Sequence, residues 1–236
     1  MKFFARRPKR RYSSIRALAV LGAMGLSTSA CALEGSGTET TEVRELDSFD
    51  TIELGGVFEL TVHVDPNVEQ KVEVRADDNI VEKVVTKVSG GELEVSVDHW
   101  MVRPKQALEL EIWVPSLAEV DASGASEIEI SGLHGDRFEL DVSGAADVEL
   151  SGAVGEFVLD SSGASEVDAK QLEAKVVEVE LSGAGEAKVF ASEALHVDIS
   201  GAGDIRYYGE PPDIEQDISG AGKITSFQLL LRFYDL

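Results

Sequence analysis

The sequence predicts an all-β chain folded as a single-domain parallel β-solenoid (a β-helix), and three observations carry that expectation. First, the tripeptide Ser-Gly-Ala recurs periodically at Ser123, Ser143, Ser162, Ser182, Ser200 and Ser219, these copies lying 20, 19, 20, 18 and 19 residues apart. Self-similarity at a fixed short period is the signature of a repeat architecture. Second, each position around the tripeptide keeps its own chemistry. Two residues before each Ser stands an acid: Asp121, Asp141, Asp160, Glu180, Asp198 and Asp217. Four residues after it come Glu127, Asp147, Glu166, Glu186, Asp204 and then Lys223, each followed by an apolar residue: Ile128, Val148, Val167, Ala187, Ile205 and Ile224. Third, the flanking segments alternate apolar with charged, as in Glu127-Ile128-Glu129-Ile130, which is the pattern of a strand with one buried face. A unit this small cannot bury its apolar face alone, but it can when stacked on copies of itself. Coils of about 19 residues follow, right-handed by the bias of parallel crossovers. The column of Ala125, Ala145, Ala164, Ala184, Ala202 and Ala221 is expected to fill a tight corner.

Taken in order, residues 1–30 read as a signal peptide. Lys2, Arg6, Arg7, Lys9, Arg10, Arg11 and Arg16 form a basic start without an acid, and residues 17–26 are an apolar run too short to span a bilayer as a helix. Cys31, the one cysteine, follows small residues as in the lipobox of bacterial lipoproteins, although Thr28 stands where Leu is usual. It is the candidate lipidation site, the alternative being a simple secretory signal cut after Ala30 or Ala32. A single cysteine allows no internal disulfide. Residues 31–42 are expected to form a flexible tether. The folded body is assigned to 43–226, opening with two strands around Gly55-Gly56, then a strand over 71–75. Residues 78–88 fit a helical stripe as well as a strand. Gly90-Gly91 turns into a strand over 93–97, and another covers 108–114, ended by Pro115. Residues 43–120 thus read as the first, atypical coils, with an excursion over 76–107. The island His99-Trp100-Met101 within it reads as a loop packed against the core rather than a ligand site. Pro211 and Pro212 mark a loop or bulge. The apolar residues 227–236 are expected to cap the last coil.

Charge narrows the function. The chain carries 21 basic and 44 acidic residues, a net charge of −23; the seven basic residues before Cys31 leave 14 against 44, or −30, after export. Such a surface argues against nucleic acid and suits a solvated extracellular protein or a basic partner. No catalytic constellation stands out. His63, His99, His134 and His196 fall at no metal-ligand spacing, and a Ser that recurs six times is not a lone nucleophile. The acidic ladders named above are the candidate surface sites. They read as a solvated outer face, with Ca²⁺ binding as the alternative; no other cofactor is implied.

Several stretches together resemble one family. They are Leu46-Asp-Ser-Phe-Asp-Thr-Ile-Glu-Leu, Val74-Arg-Ala-Asp-Asp-Asn-Ile, the iterated Ser-Gly-Ala followed by Gly, Ser or Ala and an acid, and Gly203-Asp-Ile-Arg-Tyr-Tyr-Gly-Glu-Pro. The chain is similar over about 43–226 to bacterial cell-envelope proteins described as putative auto-transporter adhesins with a head GIN domain. The resemblance implies a β-solenoid on an exported lipoprotein or secreted protein and supplies no catalytic residues. The function expected is that of an exported, lipid-anchored surface module with a structural or adhesive role, meeting the membrane through its anchor and an extracellular protein or glycan as ligand. The alternatives are a Ca²⁺-dependent binding protein and a polysaccharide-active enzyme.

Overall fold

The computed structural model of the protein describes residues 32–98 and 101–227. The expected signal peptide, the lipidation site Cys31, His99, Trp100 and the tail beyond Phe227 lie outside the described residues.

Apart from one helical turn at Val81–Lys83, every regular element is a strand. The first seven are β1 (Leu33–Glu34), β2 (Glu39–Arg44), β3 (Thr51–Val64), β4 (Lys71–Asp77), β5 (Val84–Ser89), β6 (Glu92–Val97) and β7 (Val102–Arg103). Then come β8 (Glu109–Val114), β9 (Glu119–Val142), β10 (Ala145–Ser161), β11 (Ala164–Leu181) and β12 (Glu186–Ile199). The chain closes on β13 (Asp204–Tyr208), β14 (Asp213–Ile218) and β15 (Lys223–Ser226). Thirteen of these form one sheet, whose main path runs β15-β13-β12-β11-β10-β9-β3-β8-β4-β2; β1 pairs only with β7.

The all-β expectation holds, but the sheet is mixed and not the parallel β-solenoid that the tripeptide suggested. β2 with β4, β4 with β8, and β5 with β6 are antiparallel. For β5 with β6 the cause is the length of the connection. Parallel neighbours need a long return path, whereas a two-residue turn can only reverse the chain. Ser89 pairs with Glu92 across Gly90-Gly91, both at positive φ (66° and 90°), as the tight hairpin turn requires. The segment left open between helix and strand becomes the helical turn followed by β5. From β9 onward the strands are parallel: Ala145 lies opposite Ala125, and Ala164 opposite Ala145.

The expected tether is also revised, because residues 33–44 are bound into the fold. β2 pairs with β4 along its length, and Leu33 N donates to Met101 O at 3.0 Å. Asp77, fully buried, accepts backbone hydrogen bonds from Gly37 (2.6 Å), Lys105 (2.9 Å) and Gln106 (3.1 Å). Gly35 packs so close to this carboxylate that a Cβ there would overlap it. One acid thereby ties the start of the described chain to the excursion near Lys105.

The register converts sequence position into columns. Ile128, Val148, Val167, Ala187 and Ile205 stack as one buried column, while the interleaved acids face out. Phe138 and Phe157 stack in another, ring centroids 6.1 Å apart. The expectation for alanine is corrected. All six column alanines are exposed, and the tight position is the glycine before each of them. A Cβ at Gly144, Gly163, Gly183, Gly201 or Gly220 would overlap the carbonyl oxygen of the column glycine one strand earlier. Beside this column runs the backbone bond from Ala164 N to Gly144 O, at 2.9 Å.

Gly163→Ala should therefore lower stability by about 1–3 kcal/mol through overpacking against Gly144, while Ala164→Ser one residue away should change it by about 0.5 kcal/mol or less. Urea unfolding of the two variants checks this, and equal losses would mean that the glycine is not the close approach. On the neighbouring strand, Val148→Asp should lose several kcal/mol, because it buries an unpaired carboxylate. Glu149→Lys on the exposed face should lose about 0.5 kcal/mol or less.

Candidate functional site

The predicted acids come together as two columns running across the parallel strands. In the first, Glu53 lies opposite Asp121, and Asp141 is in register with Asp160, Glu180, Asp198 and Asp217 in turn. The bonds Glu139 N to Ala118 O (2.9 Å) and Ser143 N to Ala122 O (3.0 Å) set Asp141 beside Asp121. In the second, Glu59, Glu127, Asp147, Glu166, Glu186 and Asp204 follow one another and end on Lys223. Neighbouring strands lie about 4.8 Å apart, so like charges in one column repel by about 0.9 kcal/mol per pair even in water.

The two columns meet this repulsion differently. In the first, Asp121, Asp141, Asp160 and Glu180 are half-buried, with Glu92, Glu119 and Glu139 nearby. Burial, and then the charges of Glu139, Asp160, Asp121 and Glu119, push the Asp141 carboxyl up to about 7. Burial and the Glu92 charge raise Asp121. Burial also raises Glu53, and a side-chain hydrogen bond and the charge of Glu92 act in the same direction. Protonation thus relieves the crowding here.

In the second column relief comes from cations, Lys188 and Arg206 on the adjacent column and Lys223 at the column's own end. Lys188 Nζ reaches Glu166 Oε1 at 2.8 Å, Arg206 binds Glu186, and Lys223 Nζ lies 3.2 Å from Asp204 Oδ2. The bond to Glu166, stronger than the opposing burial, raises the Lys188 ammonium above its ordinary range. Among the described residues, Glu59, Glu127 and Asp147, in the first half of the column, have no ion-pair partner. They border an open groove of about 590 Å³ with Val57, Ala125, Ala145 and Ala164 along it.

Among the described residues no group of three or more His, Cys, Asp or Glu side chains is arranged to hold a metal ion. Side chains in a column project side by side and do not converge on a point, so the ladders do not by themselves supply the several oxygens that Ca²⁺ gathers. Of the histidines, His63 lies against Trp113 (centroids 5.4 Å) and 3.3 Å from Glu111; His196 lies 3.5 Å from Glu215, and His134 Nδ1 donates to the Gly132 carbonyl oxygen at 3.0 Å. They are dispersed over the sheet.

Two residues that matter here were not singled out by sequence. Asp77 sits in an Asp-Asp-Asn run that reads as a turn, and its role depends on partners 28 to 40 residues away. Burial works to raise its carboxyl, but the amides of Gln106, Gly37 and Lys105 outweigh that and hold it below the usual range. Val57 is 66 % exposed, the most exposed of the large apolar side chains among the described residues. Its place in an alternating strand after Gly56 was the available signal, since Phe58 takes the inward position instead.

Fold and surface together define an all-β protein with a strongly acidic outer face. The chain belongs to the family described as "putative auto-transporter adhesin, head GIN domain", which matches residues 48–211. Solved structures are similar in fold. A putative adhesin from Bacteroides fragilis superposes with a TM-score of 0.70 at 22% identity, covering 83% of this chain and 100% of its own. One from Parabacteroides distasonis gives 0.64 at 21%, covering 84% and 100%. One from Parabacteroides merdae gives 0.57 at 20%, covering 83% and 99%. No curated protein matches.

The Asp141 carboxyl, raised from 3.8 to about 7, keeps a proton in the folded chain that the unfolded chain releases. The resulting stability is fully present below pH 3.8 and is lost as pH rises through 7. Asp141→Asn should abolish this component. At pH 8 it should be more stable than the parent by on the order of 1 kcal/mol after solvent screening, or about 2–4 °C in Tm. At pH 4 the two should melt together. Melting curves across pH check this, and a variant less stable at pH 8 would show that the carboxylate is instead held ionised by a partner.

Proposed function

We propose that the protein is an exported cell-surface adhesin that works by binding and is anchored to the membrane by a lipid on Cys31. The observation that carries the reading is the family match over residues 48–211, which takes in β3 through β13 and both acidic columns. The sequence supports export, since seven basic residues without an acid precede an apolar run and then Cys31. The exposed columns support binding over catalysis, because chemistry needs a few groups converging on one reacting atom. In these columns the same groups are laid out in rows. A surface of rows offers many equal contacts to a partner, each weak and together additive, which suits adhesion at high copy number on a cell.

Two measurements test this. Cells expressing the chain should adhere to extracellular matrix proteins or glycan arrays better than cells lacking it, and no difference on any of them would end the adhesive reading. Cys31→Ser should move the protein from the membrane fraction to the medium or periplasm; a substituted chain that stays in the membrane at the parent level would show that the anchor is not this cysteine.

A further inference from the structure

The second acidic column is neutralised along only part of its length, and the part left uncompensated lies beside the groove. Glu166, Glu186 and Asp204 each have a Lys or Arg on a neighbouring strand. Among the described residues Glu59, Glu127 and Asp147 have none, and all three line the groove with Glu166 at its far end. Arg103 and Lys105, which flank the lining residue Pro104 in sequence, are not themselves among the lining residues. Beside this acidic row the groove is apolar. Val57 is 66 % exposed, and Ala125, Ala145 and Ala164 continue the row across β9, β10 and β11. Pro104 and Ala107, from the excursion held by Asp77, border the Val57 end.

We propose that this groove binds an extended lysine-bearing peptide segment of a partner protein, laid across the strands. The inference deepens the adhesive reading and rests on it for the setting, not for the chemistry. Charge complementarity selects the occupant: three carboxylates without cations call for cations, and small side chains alongside them leave room for an apolar stem. A lysine supplies both, since its methylenes lie along apolar surface while the ammonium reaches out. The dimensions are compatible. Glu59 to Asp147 spans two strand spacings, about 10 Å. Lysines at two or three successive same-side positions of an extended chain span about 7 or 13 Å, which brackets that length, and their flexible stems take up the difference. The open width of the row admits a backbone, because only Cβ atoms project from its alanines. Arginine would serve less well, as its planar fork seeks bidentate carboxylate geometry and the acids here stand singly in a row.

The test uses the full chain and a fluorescein-labelled Lys-Ala-Lys-Ala-Lys-Ala-Lys peptide, read by fluorescence polarisation at 50 and 150 mM salt. The parent should bind saturably, and Glu127→Gln with Asp147→Asn should weaken binding at least tenfold. Asp198→Asn with Asp217→Asn removes the same charge from the exposed end of the first column and should weaken it less than threefold. Ala145→Arg, which places a cation in the groove, should abolish binding, with Tm compared to the parent to confirm folding. Equal losses in the two double variants would reduce the effect to the overall negative field and overturn the proposal. So would absence of saturable binding, or displacement of the peptide by spermine at an equal or lower concentration, which would assign the groove to a free polyamine. Adhesion of the same variants separates the two readings. Adhesion without peptide binding would sink the groove alone, and peptide binding without adhesion would sink the adhesive reading alone.

Discussion

Everything in the parallel part of the sheet depends on how closely one backbone passes over the next at the glycine column. At Gly144, Gly163, Gly183, Gly201 and Gly220 the carbonyl oxygen of the preceding column glycine occupies the space a side chain would need. Glycine alone lets the strands keep their hydrogen-bonding separation through that bend. Because the approach recurs at the same place in each tripeptide, it fixes the register on both sides. The exposed serine and alanine columns flank it, and the buried row from Ile128 to Ile205 and the acid rows follow at set offsets. A slip of one residue would turn the buried row outward and bury the acids. It would also drive a side chain into a carbonyl. Steric exclusion and hydrophobic burial thus specify the same register.

That register has an electrostatic consequence the chain must manage. Stacking equivalent positions stacks equivalent charges, and salt relieves this only in part, since the Debye length of about 8 Å exceeds the strand spacing. Three devices act along the sheet. Half-burial with neighbouring acids lifts the Asp141 carboxyl toward neutrality. Lys188 and Arg206 reach from one column to the next. Arg137 on β9 joins Glu139 and Glu156 at 2.9 and 2.7 Å. Asp77 is the opposite case, a carboxylate kept ionised inside the fold by three amides, whose contribution is lost as pH falls through its lowered range. The protein therefore carries carboxyls that favour acid beside one that resists it.

Much of this was legible in the sequence, and what was not has physical causes. Period-two alternation put Val148 inside and Glu149 outside, as the structure has them. The 18–20-residue spacing brought the named acids into common columns. It did not distinguish glycine from alanine as the tight residue, because both recur in all six tripeptides and only the path of the backbone separates them. Strand direction in the first half was hidden for a similar reason. Gly90-Gly91 was recognisable as a turn, but the same glycine pair at Gly55-Gly56 passes through a continuous strand, β3. The tether was misread because its residues are polar and small; what binds them is Asp77, a long-range partner that no local window contains.

The division of labour between columns follows from the same geometry. A column whose every acid is paired, as at Glu166, Glu186 and Asp204, has its electrostatic needs met within the chain. Glu59, Glu127 and Asp147 stand in the same column, on strands of the same spacing, and their needs are not met there. Nothing in the backbone forbids a lysine on the adjacent column at Glu129 or Glu149, the positions in register with Lys188 through Asp168. Acids occupy those positions instead, which adds to the field at the groove. The fold would tolerate either charge on this exposed face at small cost. Where stability leaves a choice open and the chain concentrates one sign beside exposed apolar side chains, the surface is suited to a partner of the opposite sign, and the position of Pro104 and Ala107 at its end gives that partner a place to begin.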